Sequence, residues 1–279
     1  MNLAWETRAR VLFEGDAHVM EDACGFKGPN AWVIDGATPL LEPLGLPASS
    51  DPQWLAQALT MILAGPGTDL VRTGVRARLA SALAAVDAAA MPLVGAERVR
   101  FPSAAISVAQ LNADGVEVAS LADCSVVVRT AGGTIHLVRS GDANAAVDAA
   151  LAPAAEEPPA AGPEKGRPPV DPAERRRLLI HDRELRNTQG RLWVARREPE
   201  AADHAHVVQL DRPELMVMAT DGAWRAVDLG LVSGPEEFLE RTESTLGALG
   251  LMHELRTRQA EIGEVADDAC VLTLAPSTP

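Results

Sequence analysis

Basic residues are in short supply in this sequence. Against 39 Asp and Glu stand 25 Lys and Arg, a formal net charge of −14. That balance argues against a surface built to grip nucleic acid or an anionic membrane, since both want a basic footprint. Cysteine is scarce as well: Cys24, Cys124 and Cys270 are odd in number and show no CxxC or Cys/His spacing. Neither a disulfide framework nor a zinc site is indicated, and the three read as small apolar fillers of buried strands in a reducing compartment. No stretch approaches the ~18 unbroken apolar residues of a membrane span, and the first ten residues carry no apolar signal core. A soluble, cytoplasmic protein is the expectation. The motifs of covalent chemistry are missing too: there is no GxSxG, no P-loop and no HExxH, and neither Cys24 nor Cys124 sits in a basic loop that would hold a thiolate and a phosphate.

What is there is acid at the ends of apolar runs. Ala31-Trp32-Val33-Ile34 stops at Asp35-Gly36, and Leu215 to Thr220 stops at Asp221-Gly222. Asp-Gly alone is ordinary turn chemistry, but the pattern recurs: Glu21-Asp22 precedes the first of these runs, Asp123 falls between two β-rich runs, and Asp267-Asp268 opens the last strand, Ala269 to Leu274. Acids repeated at strand ends point to a shared oxygen-ligand metal site. At 279 residues the chain can bury a sizeable core. The halves of the acidic site lie at opposite ends of the sequence, so a single domain over 1–279 is expected.

In chain order, residues 5–13 and 31–34 read as early strands. Asp51 as N-cap with Pro52 after it starts a helix running through Leu63. Apolar positions from Leu70 to Val86 recur every three to four residues and make 68–90 an amphipathic helix. Residues 104–138 break into four short β-rich runs separated by turn signals, an antiparallel meander. From 149 to 172 the composition turns to Ala, Pro and Glu, a surface insertion that builds no core. A charged helix over 171–187 follows, with Arg175-Arg176-Arg177 as a solvated face or a phosphate-steering patch. Strands at 191–195 and 205–210 and helices at 235–246 and 249–262 complete the order.

Carboxylates without histidine suit hard cations such as Mg²⁺ and Mn²⁺, which prefer oxygen ligands. Two such ions about 3.5 to 4 Å apart can activate a water and hold the oxygens of an in-line displacement at phosphorus. The reaction implied is phosphomonoester hydrolysis without a covalent nucleophile.

The order Glu21-Asp22-Ala23, Val33-Ile34-Asp35-Gly36, Pro102-Ser103-Ala104-Ala105, Ala122-Asp123-Cys124, Thr220-Asp221-Gly222 and Asp267-Asp268 resembles the metal-dependent protein phosphatases of type 2C (PPM) over nearly the whole chain. The resemblance implies an α+β fold, a four-layer α-β-β-α sandwich of two antiparallel sheets flanked by helices. It implies two Mn²⁺ or Mg²⁺ ions and a third, looser one. Asp35 would bridge the pair, the Gly36 carbonyl would bind one ion, and Asp221 and Asp267 would complete the other, with Asp268 the alternative to Asp267. Glu21 and Asp22 would act through metal-bound water, and Asp123 matches the third site. The Pro/Ala-rich stretch at about 149–190 falls where the family carries a variable flap.

The sequence departs from that family at the phosphate. Where many members place an Arg five residues before the Asp of Glu-Asp, this chain has Ala17, with His18 beside it as the substitute candidate. The implied activity is that of a signalling Ser/Thr phosphatase whose partner is a phosphoprotein, such as a kinase-regulated protein. A phosphatase of a small phosphorylated metabolite and a pseudophosphatase binding module are the alternatives.

Overall fold

Alternation and strand-end turns sort the chain into two five-stranded antiparallel sheets. The computed structural model describes residues 3–65, 74–140 and 171–277. The first sheet holds β1 (Trp5–Phe13), β6 (Ser125–Thr130), β7 (Ile135–Val138), β9 (Pro213–Ala219) and β10 (Ala269–Pro276), in the order β1-β10-β9-β6-β7. The second holds β2 (Ala23–Lys27), β3 (Asn30–Gly36), β4 (Ala104–Asn112), β5 (Gly115–Leu121) and β8 (His206–Leu210), in the order β2-β3-β4-β5-β8.

Between the sheets lies a core of small and β-branched side chains, among them Val33, Val118, Val126, Met216 and Leu272, together with all three cysteines. The outer face of the second sheet is covered by α1 (Asp51–Ala64) and α2 (Val75–Val94), which bury Leu55, Leu59, Leu79 and Leu83 against Ile106 and Leu121. The outer face of the first is covered by α4 (Asp221–Asp228), α5 (Pro235–Arg241) and α6 (Thr245–Ile262), through Trp224, Phe238, Leu251 and Leu255. The result is the expected α-β-β-α sandwich. Helix α3 (Pro172–Leu185) stands after the Pro/Ala-rich stretch; positions 149–170 of that stretch lie outside the described residues.

Several boundaries differ from the sequence reading for identifiable reasons. The expected meander is two hairpins in different sheets: β4 pairs with β5, β6 pairs with β7, and the chain crosses between sheets at Ala122-Asp123. Periodicity sees strands but not which sheet takes them. Ser50, not Asp51, caps α1: its hydroxyl accepts from Gln53 N–H at 3.2 Å, while the Asp51 carboxylate accepts from Leu44 and Leu46 N–H. The described part of the second helix is Val75–Val94, running past Pro92; positions 66–73 of the expected span lie outside the described residues. Residues 191–195 make only an isolated bridge, Ala195 to Ala104. Strand β2 and helix α4 were not foreseen, because Gly25 interrupts the first and the second begins on the Asp-Gly taken for a turn.

The registers put every acidic position at one end of the sandwich. Ala23 pairs with Ile34, Gly36 with Ala104, Ile106 with Leu121, Ser125 with Ala219, and Phe13 with Ala269. The strand ends carrying Asp22, Asp35, Asp123, Asp221 and Asp267 are therefore neighbours.

Candidate metal centre

Asp35 ends β3 and Asp221 opens α4. The Asp221 backbone N–H donates to Asp35 Oδ2 at 3.1 Å, a bond from one sheet's strand end to the helix that follows a strand of the other. Close approach explains the glycine after each. A Cβ on Gly36 would lie 2.5 Å from the Glu21 carbonyl oxygen, and one on Gly222 would lie 1.8 Å from that of Asp268. Glycine here lets the segments bearing Glu21 and Asp268 pack onto the Asp-Gly turns.

Asp35, Gly36, Asp123, Asp221 and Asp267 line one cavity of about 140 Å³. Asp123, Asp221 and Asp267 also face a second cleft of about 320 Å³, whose far wall carries Arg139, Arg225 and Glu264. Asp22 stands behind this array: it is 6% exposed, Oδ1 accepts from Gly36 N–H at 3.3 Å, and Oδ2 is buried with no hydrogen-bond partner among the described residues.

The Asp267-Asp268 pair divides. Asp268 accepts from Gly15 N–H at 2.8 Å and Glu21 N–H at 2.6 Å. Both of its oxygens are thus taken by backbone, and the loop joining β1 to β2 is fixed to the start of β10. Asp267 accepts from Asp268 N–H at 2.9 Å and faces the cavity. Glu21 is directed elsewhere, accepting from the Ser50 hydroxyl at 2.5 Å, and it lines neither cavity. His18 lies on an exposed turn with φ 56° and is not brought to either cavity. It is the sequence's candidate substitute for the missing phosphate-binding Arg; the geometry does not bring it there. Nor do Arg176 and Arg177 reach the site: Arg176 donates to the Leu40 carbonyl and Arg177 to that of Ala173.

Crowded acids shift one another. Burial pushes Asp35 well above the usual carboxylate range, and the charges of Asp221, Asp22 and Asp123 add to it. Burial does the same to Asp22, opposed by the Thr220 hydroxyl and reinforced by Asp268, Asp221 and Asp267. Asp221 is raised to about 6, by burial first and then by Asp123. Burial also raises Glu21 and Asp267. The Cys124 thiol, buried beside these acids, is pushed well above its ordinary range, so it stays protonated and is a poor nucleophile.

This donor set fits hard divalent cations. Ionised carboxylates at such spacing repel until a cation offsets them, and Asp22, with the Thr220 hydroxyl nearby, has acceptor capacity left over at Oδ2, which makes no hydrogen bond of ordinary geometry among the described residues. No three His, Cys, Asp or Glu side chains among the described residues converge tightly enough to ligate one ion unaided. That agrees with Mg²⁺-type coordination, in which one or two carboxylates suffice and waters complete the shell.

Sequence reading missed Arg186. It is the one basic side chain lining the acidic cavity among the described residues. The signal is the charged helix after the insertion, where the arginine at its end, not the triplet at its start, meets the cavity.

No protein-family model matches the chain, and no curated protein does. Solved structures do match. The catalytic domain of the serine/threonine protein phosphatase PstP in complex with two manganese ions shares 16% identity at a TM-score of 0.57, covering 99% of this chain and 100% of that one. PppA, a regulatory component of the T6SS in Pseudomonas aeruginosa, shares 14% at 0.56, covering 99% of each. The serine/threonine phosphatase Stp1 from Staphylococcus aureus shares 13% at 0.51, covering 100% of this chain and 98% of that one. Across its whole length, this chain has the fold of the PP2C-type serine/threonine phosphatases.

Proposed function

We propose that the protein is a metal-dependent phosphomonoesterase acting on phosphoserine and phosphothreonine in proteins. The observation that carries the reading is the cavity where Asp35, Asp123, Asp221 and Asp267 meet at one end of a PP2C-type sandwich. Two Mn²⁺ or Mg²⁺ ions would be held by Asp35, the Gly36 carbonyl, Asp221 and Asp267, with a looser third at Asp123. Bound there, such ions supply an activated water and charge stabilisation for displacement at phosphorus.

The chain's own residues do the positioning. The Asp221 N–H bond orients the Asp35 carboxylate. Asp268 ties the loop from Gly15 to Glu21 beside the Asp-Gly turns, holding Asp22 against Gly36. The neutral Cys124 thiol leaves water as the nucleophile. A phosphoprotein substrate accords with the second cleft's volume of about 320 Å³ and with the exposed Val265 on its wall. A single domain, with the insertion from 149 to about 190 serving as a substrate-side flap, is part of the same proposal.

The test is hydrolysis of p-nitrophenyl phosphate and of a phosphothreonine peptide, with chelator and with millimolar Mn²⁺. Metal-dependent release of phosphate from both is the expected result. Absence of turnover by folded, Mn²⁺-loaded protein would leave the fold serving as a binding module instead.

A further inference from the structure

The acidic cavity must admit a phosphate dianion, and the sequence position that would supply a gripping arginine is Ala17. With His18 out on an exposed turn, the cavity's only basic lining among the described residues is Arg186, just past the end of α3.

Arg186 is held as a fork with one arm open. Its Nε donates to Asp182 Oδ2 at 3.2 Å, one helical turn back, and its Nη1 donates to the Ser103 hydroxyl at 2.7 Å. The Nη2 makes no hydrogen bond among the described residues, and it is not sealed from solvent. The backbone beneath is fixed as well. The Arg186 carbonyl accepts from Arg98 Nη2 at 2.8 Å. Asn187, in a left-handed conformation, clamps the following loop by donating to the Val194 carbonyl and accepting from Val194 N–H. Val194 and Leu192 line the same cavity, so the loop that sets Arg186 also forms its wall.

A structural arginine would be finished by Asp182 and Ser103. Two further features go beyond that. A guanidinium N–H gives phosphate oxygen a charge-assisted hydrogen bond, and Nη2 keeps its donors for one while Nε and Nη1 are engaged. A smaller recess also adjoins the cavity, sharing Ala37 and Arg186 with it, and is lined by Arg183 and Arg196 too. The recess thus brings two further cations near Arg186, surroundings that favour an anion.

We infer that Arg186 binds the phosphoryl oxygens of the substrate, taking over from an insertion-side helix the grip that the Glu-Asp turn lacks. This rests on the phosphomonoesterase reading for its substrate, but phosphate binding tests it separately.

Inorganic phosphate is titrated calorimetrically into the full-length Mg²⁺-loaded protein and into Arg186→Ala, with the Mn²⁺-induced shift in melting temperature recorded for each. Losing a charge-assisted hydrogen bond should weaken phosphate binding about tenfold, while the Mn²⁺ shift persists because Arg186 is no metal ligand. If Arg186→Ala does not fold, Arg186→Lys replaces it, keeping the charge without the planar group that Asp182 and Ser103 hold in place, and weaker phosphate binding is again expected. A folded variant that binds phosphate as the parent does, or a parent that binds none, overturns the inference. A parent that binds phosphate through Arg186 yet turns over no phosphomonoester would uphold it while removing the catalytic reading.

Discussion

The bond from Asp221 N–H to Asp35 Oδ2 joins the two halves of the sandwich at their acidic end. It brings two carboxylates together from positions 35 and 221, and both are held above their ordinary range, Asp221 at about 6 instead of 3.8. A pH dependence follows. Between the unfolded carboxylate value of ~4 and about 6, the folded chain keeps a proton on Asp221 that the unfolded chain has released, so stability falls as pH rises through that window. Asp22 and Asp35 extend the fall to higher pH. In chelator, the melting temperature of the parent relative to Asp221→Asn should drop by a few degrees from pH 4 to 7. Millimolar Mn²⁺ should reverse the trend, because cation binding favours the ionised form. A parent-minus-variant difference that stays flat with pH in chelator would refute it.

Asp267 and Asp268 should separate cleanly. Asp268 satisfies two backbone donors, Gly15 and Glu21. An amide can accept with only one of its two terminal groups, so Asp268→Asn leaves one N–H facing an NH₂, at a cost of about 1–3 kcal/mol. Asp267→Asn removes no such bond to the β1–β2 loop, and its effect should fall on Mn²⁺ binding. Urea unfolding in chelator and Mn²⁺-induced thermal shifts read the two effects. A destabilised Asp267→Asn with an intact Mn²⁺ shift would exchange their roles.

Much of this end of the molecule was legible because its signals are local. An apolar run that halts at Asp-Gly is visible in sequence, and Asp35 and Asp221 were found that way. What was not legible depends on three-dimensional register. The split of the meander into hairpins of opposite sheets is set by packing of faces, which alternation does not encode. The backbone bonds of Asp268 span more than 240 positions, so only preference for the first residue of the pair was available from sequence. Arg186 reaches the cavity because the Asn187–Val194 clamp turns the chain back after α3, a contact no spacing rule anticipates.

Ala122 is buried and holds φ at 62°, at the crossover that delivers Asp123. A non-glycine residue there is strained by about 1–2 kcal/mol, whereas removing its buried methyl loses about 0.8 kcal/mol. The greater freedom of glycine in the unfolded chain takes back about a further 0.4–1 kcal/mol, so Ala122→Gly should be close to neutral, with the urea midpoint and slope nearly unchanged. A lowered midpoint would mean that the surrounding packing, not the backbone, sets the stability of this turn.

Asp35 should be the indispensable carboxylate, and its loss should have two opposite signatures. In chelator at pH 7, Asp35→Asn removes a crowded acid that burial and the charges of Asp221 and Asp22 oppose. The amide oxygen can still accept from Asp221 N–H, so the metal-free variant should melt higher than the parent. With millimolar Mn²⁺ the order should invert, because the variant lacks the ligand proposed to serve both ions, and hydrolysis of p-nitrophenyl phosphate should disappear. Asp123→Asn, at the looser site, should keep most of the Mn²⁺ shift and lose only part of the turnover. Circular dichroism on each variant separates lost chemistry from lost fold. A folded Asp35→Asn protein with near-parental turnover would eliminate the paired-ion arrangement, and an Asp123→Asn protein with no Mn²⁺ shift would move the principal site from Asp35 toward the cleft bounded by Arg139 and Glu264.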